Sequence, residues 1–341
     1  MNKEKQIIVP VLRFPTFAKS DNWEDVKLID VTDKNKKWSF TGGPFGSNLK
    51  SSDYVVAKEG IRIIQLQNIG DGKFKNDYKI YTSKEKADEL LSCNIYPDDI
   101  IMSKMGDPVG RACLIPDFHD RYVMSSDGIR IAVDEDKYDK YFIYLVINSK
   151  VFRSKVENSS TGSTRKRIGL TDLKKLTLAI PKDKDEQQKI ANCLSSLDNV
   201  ITAETEKLDY LKVHKKGLLQ QLFPAKGETK PQFRFPEFEN DGDWESHNLG
   251  ILCEYFNGAS HEKNVTKDGD YHLISLNSID IEGNLKTEMK RVNTSDNSLI
   301  KNDLVMVLSD VAHGNFLGLC CIIPNDKYVL NQRMAGLRLK N

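Results

Sequence analysis

The sequence predicts an α+β protein in which two strand-rich copies of one fold unit are joined by a long helix. The first observation is a repeated phrase: "LRFPTF" near the start returns as "FRFPEF", and both phrases run on to a Trp-Glu pair. Arg13 matches Arg234 and Trp23 matches Trp244, so the copies are 221 residues apart. That shift is the length of a domain, since solenoid and propeller repeats have periods of roughly 20–50 residues. The second observation is a run between the copies whose apolar residues recur with coiled-coil spacing.

The totals describe an ordinary globular chain that is long enough for about two domains. Of its 341 residues, 39% are hydrophobic and 29% are charged, and no apolar run approaches the roughly 20 residues of a membrane helix. The net charge of +1 gives no general case for nucleic acid, so such a case must rest on local charge. The six cysteines form no CxxC pair and no Cys/His pattern, which favours reduced thiols in a cytoplasmic protein over zinc or disulfides.

The repeat extends through each copy as predicted strands with glycine-bearing turns. "IRIIQLQNIGDGKF" aligns with "YHLISLNSIDIEGNL", "DDIIMS" with "NDLVMV", and "GRACLIP" with "GLCCIIP". Apolar and polar residues alternate in the first of these pairs, which is typical of strands. The intervening turns differ, because "SKMGDPVGR" in copy one becomes "LSDVAHGNFLG" in copy two. A shared strand framework with unlike loops indicates one scaffold that carries two recognition surfaces.

The long helix is predicted for residues 183–223. Asp183 followed by Glu186 resembles a capping box at its start, and Phe223-Pro224 marks its end. At 1.5 Å per residue it would be roughly 55 Å long, so we expect it to pack against another long helix. Steps of four and three residues define the apolar seam for that pairing, which consists of Ile190, Leu194, Leu197, Ile201, Leu208, Leu211, Leu218 and Leu222.

The remaining boundaries follow from the repeat. Copy one is predicted to occupy residues 1–182, a linker residues 224–232, and copy two residues 233–341. Copy two stops just after its "LRL" strand and lacks counterparts of "KYDKYFIYLVINSKVF", of the basic loop that follows and of a second long helix. The sequence therefore predicts a second domain that is truncated at its C-terminus. The helix partner is then expected from a second copy or from a separately encoded fragment.

The most basic segment is "RSKVENSSTGSTRKRIGLTDLKK", which holds seven Lys or Arg against one Glu and one Asp. Its centre, "SSTGSTRKR", is a loop rich in hydroxyls and glycine. Hydroxyls and backbone N–H groups contact phosphates, and Arg side chains can add bidentate base contacts. From charge alone, a solvated loop explains the segment equally well. "TGGPFGSNLK" lacks the spacing of a nucleotide P-loop, so a turn near a nucleic-acid backbone or a structural turn fits better.

One catalytic alternative is a metal-dependent endonuclease. Asp117 after Pro116, followed by Glu135 and Lys137, satisfies a loose PD…ExK pattern whose carboxylates would bind a divalent cation. Copy two has Asn325 at the first position, which removes that carboxylate, and "DEDKYDK" also fits a charged turn. No GxSxG, HExxH or GxGxxG motif is present. We therefore expect no catalytic residue, no metal site and no cofactor bound by this chain.

The junction between copy one and the helix carries the most specific pattern in the chain. It reads "STGSTRKRIGLTDLKKLTLAIPKDKDEQQKIANCLSSLDNVI", and the helix ends in "KKGLLQQLFP". Together with the duplicated "RFP.F…W" phrase and the "GPFGS" turn, it resembles the specificity subunit of type I restriction-modification enzymes. The resemblance implies two target-recognition domains, each reading one half of a bipartite DNA sequence in the major groove.

The same resemblance implies partners for the helix. Paired antiparallel helices would set the distance between the half-sites and dock methyltransferase subunits. Those subunits would bind S-adenosylmethionine and methylate adenine, and a motor-nuclease subunit would cut unmodified DNA with ATP and Mg²⁺. The resemblance thus places the chemistry, and the cofactors S-adenosylmethionine, ATP and Mg²⁺, in partner subunits.

Residue type and loop position predict the DNA contacts of copy one. Gln and Asn amides suit bidentate adenine contacts, and Arg side chains suit guanine or phosphate. The candidate DNA-binding residues are Ser47, Lys50, Gln65, Gln67, Asn68, Lys104, Arg111, Thr161, Ser163, Arg165, Lys166 and Arg167.

Overall fold

The computed structural model describes residues 10–56, 60–296, 298–310 and 314–340, and the chain divides into two units. Unit 1 runs to Tyr210 and unit 2 begins at Leu211, so the boundary falls inside the long helix. The predicted α+β class is confirmed, because both units consist mainly of short strands and one long helix connects them. Among the described residues, no helix is both long and apolar enough to cross a membrane.

Unit 1 contains thirteen described strands and five helices, the last of which continues into unit 2. The strands are β1 (Glu24–Lys27), β2 (Phe40–Gly42), β3 (Tyr54–Val55), β4 (Ile61–Ile64), β5 (Ile80–Thr82), β6 (Asn94–Ile95), β7 (Ile100–Ser103), β8 (Met105–Gly106), β9 (Ala112–Leu114), β10 (Tyr122–Met124), β11 (Gly128–Ile131), β12 (Lys166–Arg167) and β13 (Thr177–Ile180). The helices are α1 (Lys84–Glu89), α2 (Lys140–Asn148), α3 (Lys150–Asn158), α4 (Leu170–Lys175) and α5 (Lys184–Leu222).

Two large sheets form the frame of unit 1. One has the order β2-β11-β7-β9 and the other the order β3-β5-β4-β10-β6. β4 and β10 are parallel, and the other neighbours in these two sheets are antiparallel. Because β4 and β10 run in the same direction, the loops that follow them leave the sheet at the same edge. Two short antiparallel pairs, β1-β13 and β12-β8, complete the unit.

β7 lies between two hydrophobic clusters, which explains its unbroken apolar sequence. Ile100 and Met102 belong to a cluster that includes Phe142 of α2, whereas Ile101 belongs to a second cluster with Ile64 of β4. All four residues of β7 are buried, so both of its faces are covered. A strand covered on both faces loses the apolar-polar alternation of a half-buried strand.

Unit 2 repeats both large sheets strand for strand. Its elements are α6 (Leu249–Leu252), β14 (Cys253–Asn257), β15 (Val265–Thr266), β16 (Tyr271–Ile274), β17 (Arg291–Val292), β18 (Ser298–Leu299), β19 (Leu304–Val307), β20 (Cys320–Ile322), β21 (Tyr328–Leu330) and β22 (Met334–Leu339). The sheet orders are β14-β22-β19-β20 and β15-β17-β16-β21-β18, with β16 and β21 parallel. The repeat in the sequence is therefore a repeat of topology.

An Asp-Arg pair with a buried carboxylate recurs at the same place in both units. In unit 1, Arg130 of β11 donates from Nε to Asp99 just before β7 (2.7 Å). In unit 2, Arg338 of β22 donates from Nε and Nη2 to Asp303 just before β19 (2.9 and 2.6 Å). Each carboxylate also accepts a hydrogen bond from the backbone N–H three residues earlier, which is that of Tyr96 in unit 1 and that of Ile300 in unit 2. These bonds satisfy the buried carboxylates and tie the two central strands together.

α5 begins as predicted but only half of the expected capping box forms. Asp183 accepts the N–H of Asp185 (2.9 Å), as an N-cap does. Glu186, predicted as the reciprocal half, turns away from the helix end. It accepts hydrogen bonds from Arg13 Nε and Nη2 (2.7 and 2.6 Å) and from Trp23 Nε1 (3.2 Å). Glu186 is 1% exposed, and tertiary pairing with Arg13 replaces the local cap.

The two "RFP.F" phrases fold into the same turn, which we call the RFP turn. Residues Pro15–Phe17 and Pro236–Phe238 each form one turn of 3₁₀-helix. Arg13 then donates to the carbonyls of residues 20 and 21 (both 2.9 Å), and Arg234 donates to those of residues 241 and 242 (2.6 and 2.8 Å). The acceptors are related by the same shift as the arginines, so the arginine holds this turn in both units.

α5 is 39 residues long, which corresponds to about 58 Å. Ile190 near its start is half-buried and packs against the main cluster of unit 1. Farther along, the described residues leave most of the predicted seam uncovered, for example Leu197 (54% exposed), Ile201 (63%) and Leu211 (56%). Pairing of the seam with another helix therefore stays a prediction, and the exposed apolar face is compatible with it.

We predict that Glu186→Ala lowers the thermal stability of unit 1. The change leaves the Arg13 guanidinium and the Trp23 N–H without their acceptor in a largely buried site, so we expect the unfolding midpoint to fall by on the order of 5–10 °C. Glu204→Ala is the control, because Glu204 pairs with Lys207 on an exposed part of α5 and its loss should shift the midpoint little. Equal midpoints for the two variants in a calorimetric scan would contradict the assignment.

Candidate nucleic-acid interface

Residues 125–127 form the turn between β10 and β11, and three candidate segments meet there. Ser125 donates its N–H to the carbonyl of Ile64 (2.8 Å), which places the turn beside the end of β4. The carbonyl of Asp127 accepts the N–H of Lys104 (2.7 Å), and its carboxylate pairs with Arg167. The structure thus brings the β4 amides, the glycine turn and the basic loop together.

The "GPFGS" loop packs on the same turn. A Cβ atom on Gly43 would lie 1.7 Å from the carbonyl oxygen of Ser125, so only glycine allows this approach. Beyond Gly43, the side chains of Ser47 and Lys50 are exposed, as a DNA contact requires. Phe45 at the tip is 82% exposed, and the sequence-based prediction did not include it. The signal available in the sequence was an aromatic residue in a glycine-rich loop.

The basic loop is a closed hairpin rather than a free segment. The backbone groups of Thr161 and Arg167 exchange two hydrogen bonds (2.9 and 2.8 Å). Gly162 has φ = +104°, a conformation that favours glycine. Strand β12 pairs with β8, so Lys166 lies opposite Gly106 in the "SKMGDPVGR" turn. The hairpin and the glycine turn therefore form one continuous surface, on which Thr161, Ser163 and Arg165 are exposed.

Part of the predicted positive charge is neutralised by carboxylates. Lys166 pairs with Glu157 of α3, and Arg167 pairs with Asp127. These pairs lower the effective charge of the loop below what counting Lys and Arg suggests. Arg165 has no ion-pair partner among the residues that the structure describes, so its charge is fully available to a ligand.

Arg111 carries an unused donor inside this surface. Its side chain is half-buried, and its Nε atom is buried without a hydrogen-bond partner in the described part of the chain. Nearby, Arg153 of α3 pairs with Asp71 (2.9 Å). Burial lowers the pKa of Arg153, Asp71 raises it, and the charge of Arg111 lowers it further. Glu157 raises the pKa of Arg153 as well, so carboxylates partly offset the two cations of this corner, and sequence reasoning had not selected Arg153.

The two glutamines at the end of β4 lie where the candidate surface begins. Gln65 is half-buried, and its Nε2 donates to the hydroxyl of Tyr54 (3.3 Å). Gln67 is exposed, and its Nε2 approaches Gln65 Oε1 at 3.5 Å. Both amides keep acceptor or donor capacity that the described residues do not use, as a base contact requires.

Asn68 does not belong to the surface. It is fully buried, its Oδ1 accepts the N–H of Gln65 (3.0 Å), and its Nδ2 donates to the carbonyls of Lys75 and Tyr78 (2.9 and 2.8 Å). Ser278 in unit 2 likewise accepts the N–H of the residue three positions earlier. The prediction of a DNA contact at Asn68 is therefore corrected, because its amide stabilises a turn that both units share.

Two residues of the nuclease pattern form ion pairs outside it, and the third is exposed. Lys137 pairs with Asp134 (2.6 Å), Glu135 pairs with Lys140 (3.3 Å), and Asp117 lies exposed in a turn. Within residues 10–56, 60–296, 298–310 and 314–340, no group of three or more His, Cys, Asp or Glu side chains is arranged to hold a metal ion.

Comparison with known families assigns the chain to one of them. The family model described as "Type I restriction modification DNA specificity domain" matches residues 20–213, which is more than half of the chain. The chain belongs to this specificity family. The matched region contains the whole candidate surface and most of α5, and the resemblance expected from the junction sequence is confirmed.

Two curated proteins of Methanocaldococcus jannaschii are similar to the chain. The type I restriction enzyme MjaVIII specificity subunit is 20% identical over 229 residues, which cover 64% of this chain and 51% of the relative. The putative type I restriction enzyme MjaX specificity subunit is 24% identical over 205 residues, which cover 57% and 46%. The chain spans about half the length of these relatives. A crystal structure of a type I S subunit from M. genitalium, 16% identical, covers 98% of this chain and 76% of its own with a TM-score of 0.55, which shows a shared fold.

We predict that Asn68→Ala destabilises unit 1 and that Gln67→Ala does not. Asn68→Ala removes three hydrogen bonds in a buried site, so the free energy of unfolding of unit 1 should fall by about 1–3 kcal/mol. Gln67→Ala, one residue away and exposed, should leave stability unchanged within about 0.5 kcal/mol. Denaturant unfolding of the two variants tests this, and a stable Asn68→Ala protein would restore Asn68 as a candidate contact.

Proposed function

We propose that unit 1 is a DNA-reading domain that recognises one half of a bipartite DNA sequence. The observation that carries this proposal is the meeting of three candidate segments at residues 125–127. Three kinds of groups lie together there. Side-chain amides suit base edges, hydroxyls and backbone N–H groups suit phosphates, and arginines suit either. Membership of the specificity family supports the same conclusion. Unit 2 repeats the scaffold with other loops, so we propose that it reads a second half-site.

We propose further that α5 is the element that joins partners. Its exposed seam is suited to pairing with another long helix, and the pair would set the distance between half-sites. Methyltransferase subunits that bind S-adenosylmethionine would dock on it, and a motor-nuclease subunit that uses ATP and Mg²⁺ would complete the assembly. In this proposal the chain itself is non-catalytic.

Arg165→Ala should weaken DNA binding and reduce its salt dependence. Each phosphate contact that is lost reduces the slope of log K against log[salt] by about 0.9, and phosphate contacts are independent of sequence, so any duplex serves as the probe. Fluorescence anisotropy with a labelled duplex between about 50 and 200 mM salt measures both quantities. Arg165 is chosen for substitution because Lys166 and Arg167 form ion pairs with other residues of unit 1, so replacing them could also affect the fold. Lys207→Ala on α5 is the charge-matched control, and identical slopes for the two variants would contradict the proposal.

The nuclease alternative makes a different prediction. If the chain is a non-catalytic subunit, supercoiled plasmid incubated with the purified protein and Mg²⁺ should stay intact. Nicking that disappears in Asp117→Asn would instead assign the PD…ExK pattern a catalytic role. Contamination is excluded by the same comparison, since a contaminating nuclease would cut equally well in both preparations.

A further inference from the structure

The turn between β21 and β22 in unit 2 corresponds to the turn between β10 and β11 in unit 1. Residues 331–333 occupy the places of residues 125–127, and the same backbone hydrogen bonds hold both turns. The N–H of Asn331 donates to the carbonyl of the last residue of β16 (2.9 Å), and the carbonyl of Arg333 accepts the N–H of the residue after β19 (3.0 Å). The turn of unit 2 therefore lies at the sheet edge that carries the candidate surface in unit 1.

The charge at the last position of this turn is reversed between the units. Unit 1 has Asp127, which is half-buried and pairs with Arg167 of the basic hairpin. Unit 2 has Arg333, which is exposed and forms no ion pair with any residue that the structure describes. In unit 1 the cation beside the turn thus comes from another loop and is paired, whereas in unit 2 the cation belongs to the turn and is unpaired within the described residues.

Arg333 is held in a backbone conformation that arginine rarely adopts. Its φ is +69°, in the left-handed region, and Asp127 does not share this conformation. Asn302 of unit 2 also has a positive φ (+73°), but asparagine tolerates this region better than most residues. Because Arg333 is exposed, packing does not explain the strain. Backbone strain of this kind is concentrated at functional sites, where the surrounding structure maintains it.

Buried polar groups at the base of the turn maintain the strain. Asn331 is 3% exposed, its Oδ1 accepts the N–H of His261 (3.1 Å), and its Nδ2 donates to Glu262 (3.0 Å). On the other side of Arg333, strand β22 is paired with β19 from its first residue. Glu262 also pairs with Lys290 (2.5 Å), so the carboxylate at the base of the turn already has a cation as its partner. The backbone of Arg333 is therefore fixed on the surface, and its charge is not neutralised within the described part of unit 2.

We propose that Arg333 contacts a DNA phosphate, and that unit 2 keeps a strained turn because the turn places this charge on its DNA-reading surface. A guanidinium without a carboxylate partner can donate two parallel hydrogen bonds to a phosphate, and its charge releases counterions from the duplex. The inference rests on the function proposed for unit 2 and deepens it by naming a residue that positions the duplex. The two units then differ, because unit 1 carries its unpaired arginine, Arg165, on the hairpin and unit 2 carries Arg333 on the turn itself.

Two substitutions at Arg333 in the full chain separate its charge from its backbone strain. Arg333→Asn removes the charge and tolerates the left-handed backbone. The slope of log K against log[salt] for a labelled duplex should therefore fall by about 0.9, while the unfolding midpoint of unit 2 should rise by about 2–4 °C. Arg333→Lys keeps both the charge and the strain, so the slope and the midpoint should stay close to those of the unchanged chain. Fluorescence anisotropy measures the slope, and a calorimetric scan measures the midpoint.

Lys301→Ala is the control for a lost positive charge in unit 2. Lys301 is exposed and precedes β19, so it lies at the end of that strand that is remote from the turn. Its replacement should leave the salt dependence unchanged. A slope that falls equally in Lys301→Ala and Arg333→Asn would mean that net charge, and not a contact at the turn, determines the effect.

Three further outcomes would overturn the inference. An unchanged slope in Arg333→Asn, together with a reduced slope in Arg165→Ala, would remove the contact at Arg333 and leave the DNA-reading function of unit 1 intact. A midpoint that falls in Arg333→Asn would show that the arginine stabilises the turn, which is a structural role. A slope that falls as far in Arg333→Lys as in Arg333→Asn would mean that the charge is not what binds. If the full chain binds no duplex at about 50 mM salt, the proposed function itself fails.

Discussion

The ion pair between Arg13 and Glu186 fixes where the long helix starts. A buried carboxylate is unfavourable unless its acceptor positions are satisfied, and here two guanidinium N–H groups and the Trp23 indole satisfy them. A rotation or a one-residue slip of α5 would separate these groups. The neighbouring Gln187 adds a second restraint. Its Oε1 accepts the N–H of Asp139, and its Nε2 donates to the carbonyl of Pro181. Apolar contacts alone would allow several positions of α5 along its axis, whereas the hydrogen bonds of this polar cluster form in only one of them.

The rest of each unit consists of a frame of sheets and of the loops that connect its strands. The frame is the pair of large sheets with their Asp-Arg ion pair, and it has the same strand order in both units. The exposed side chains of the loops, such as those of Gln67 and Arg165, take no part in this packing. The "SKMGDPVGR" turn of unit 1 bonds to the basic hairpin, and its counterpart in unit 2 has another sequence, of which residues 311–313 lie outside the described part. A change of loop sequence therefore changes the surface without changing the frame.

Sequence periodicity predicted the elements whose signal is local. The alternating strand after Ile61 and the 3.5-residue period of α5 were predicted from spacing, and the start of α5 was predicted within one residue from its cap residues. The failures share a cause, which is that long-range contacts determine the roles of side chains. Nothing local distinguishes the amide of Asn68, buried beneath a turn, from the exposed amide of Gln67. Likewise, Asp127 is an ordinary loop aspartate until the antiparallel pairing of β11 with β7 places it between Lys104 and Arg167.

The carboxylates beside the arginines change what the candidate surface is suited to do. A free cation gains affinity mainly by releasing counterions from phosphates, and this gain carries no sequence information. Asp127 occupies one edge of the Arg167 guanidinium and restricts its rotamers, while the other donors of the group stay unused by the described residues. An arginine that is paired with a carboxylate attracts phosphates less strongly, but its guanidinium has a fixed orientation. Hydrogen bonds to base edges require such an orientation. Arg165 has no such partner within the described part of the chain and suits phosphate contact. For the DNA-reading domain proposed above, we therefore expect the two arginines of this hairpin to differ in role, with Arg165 positioning the duplex and Arg167 discriminating between bases.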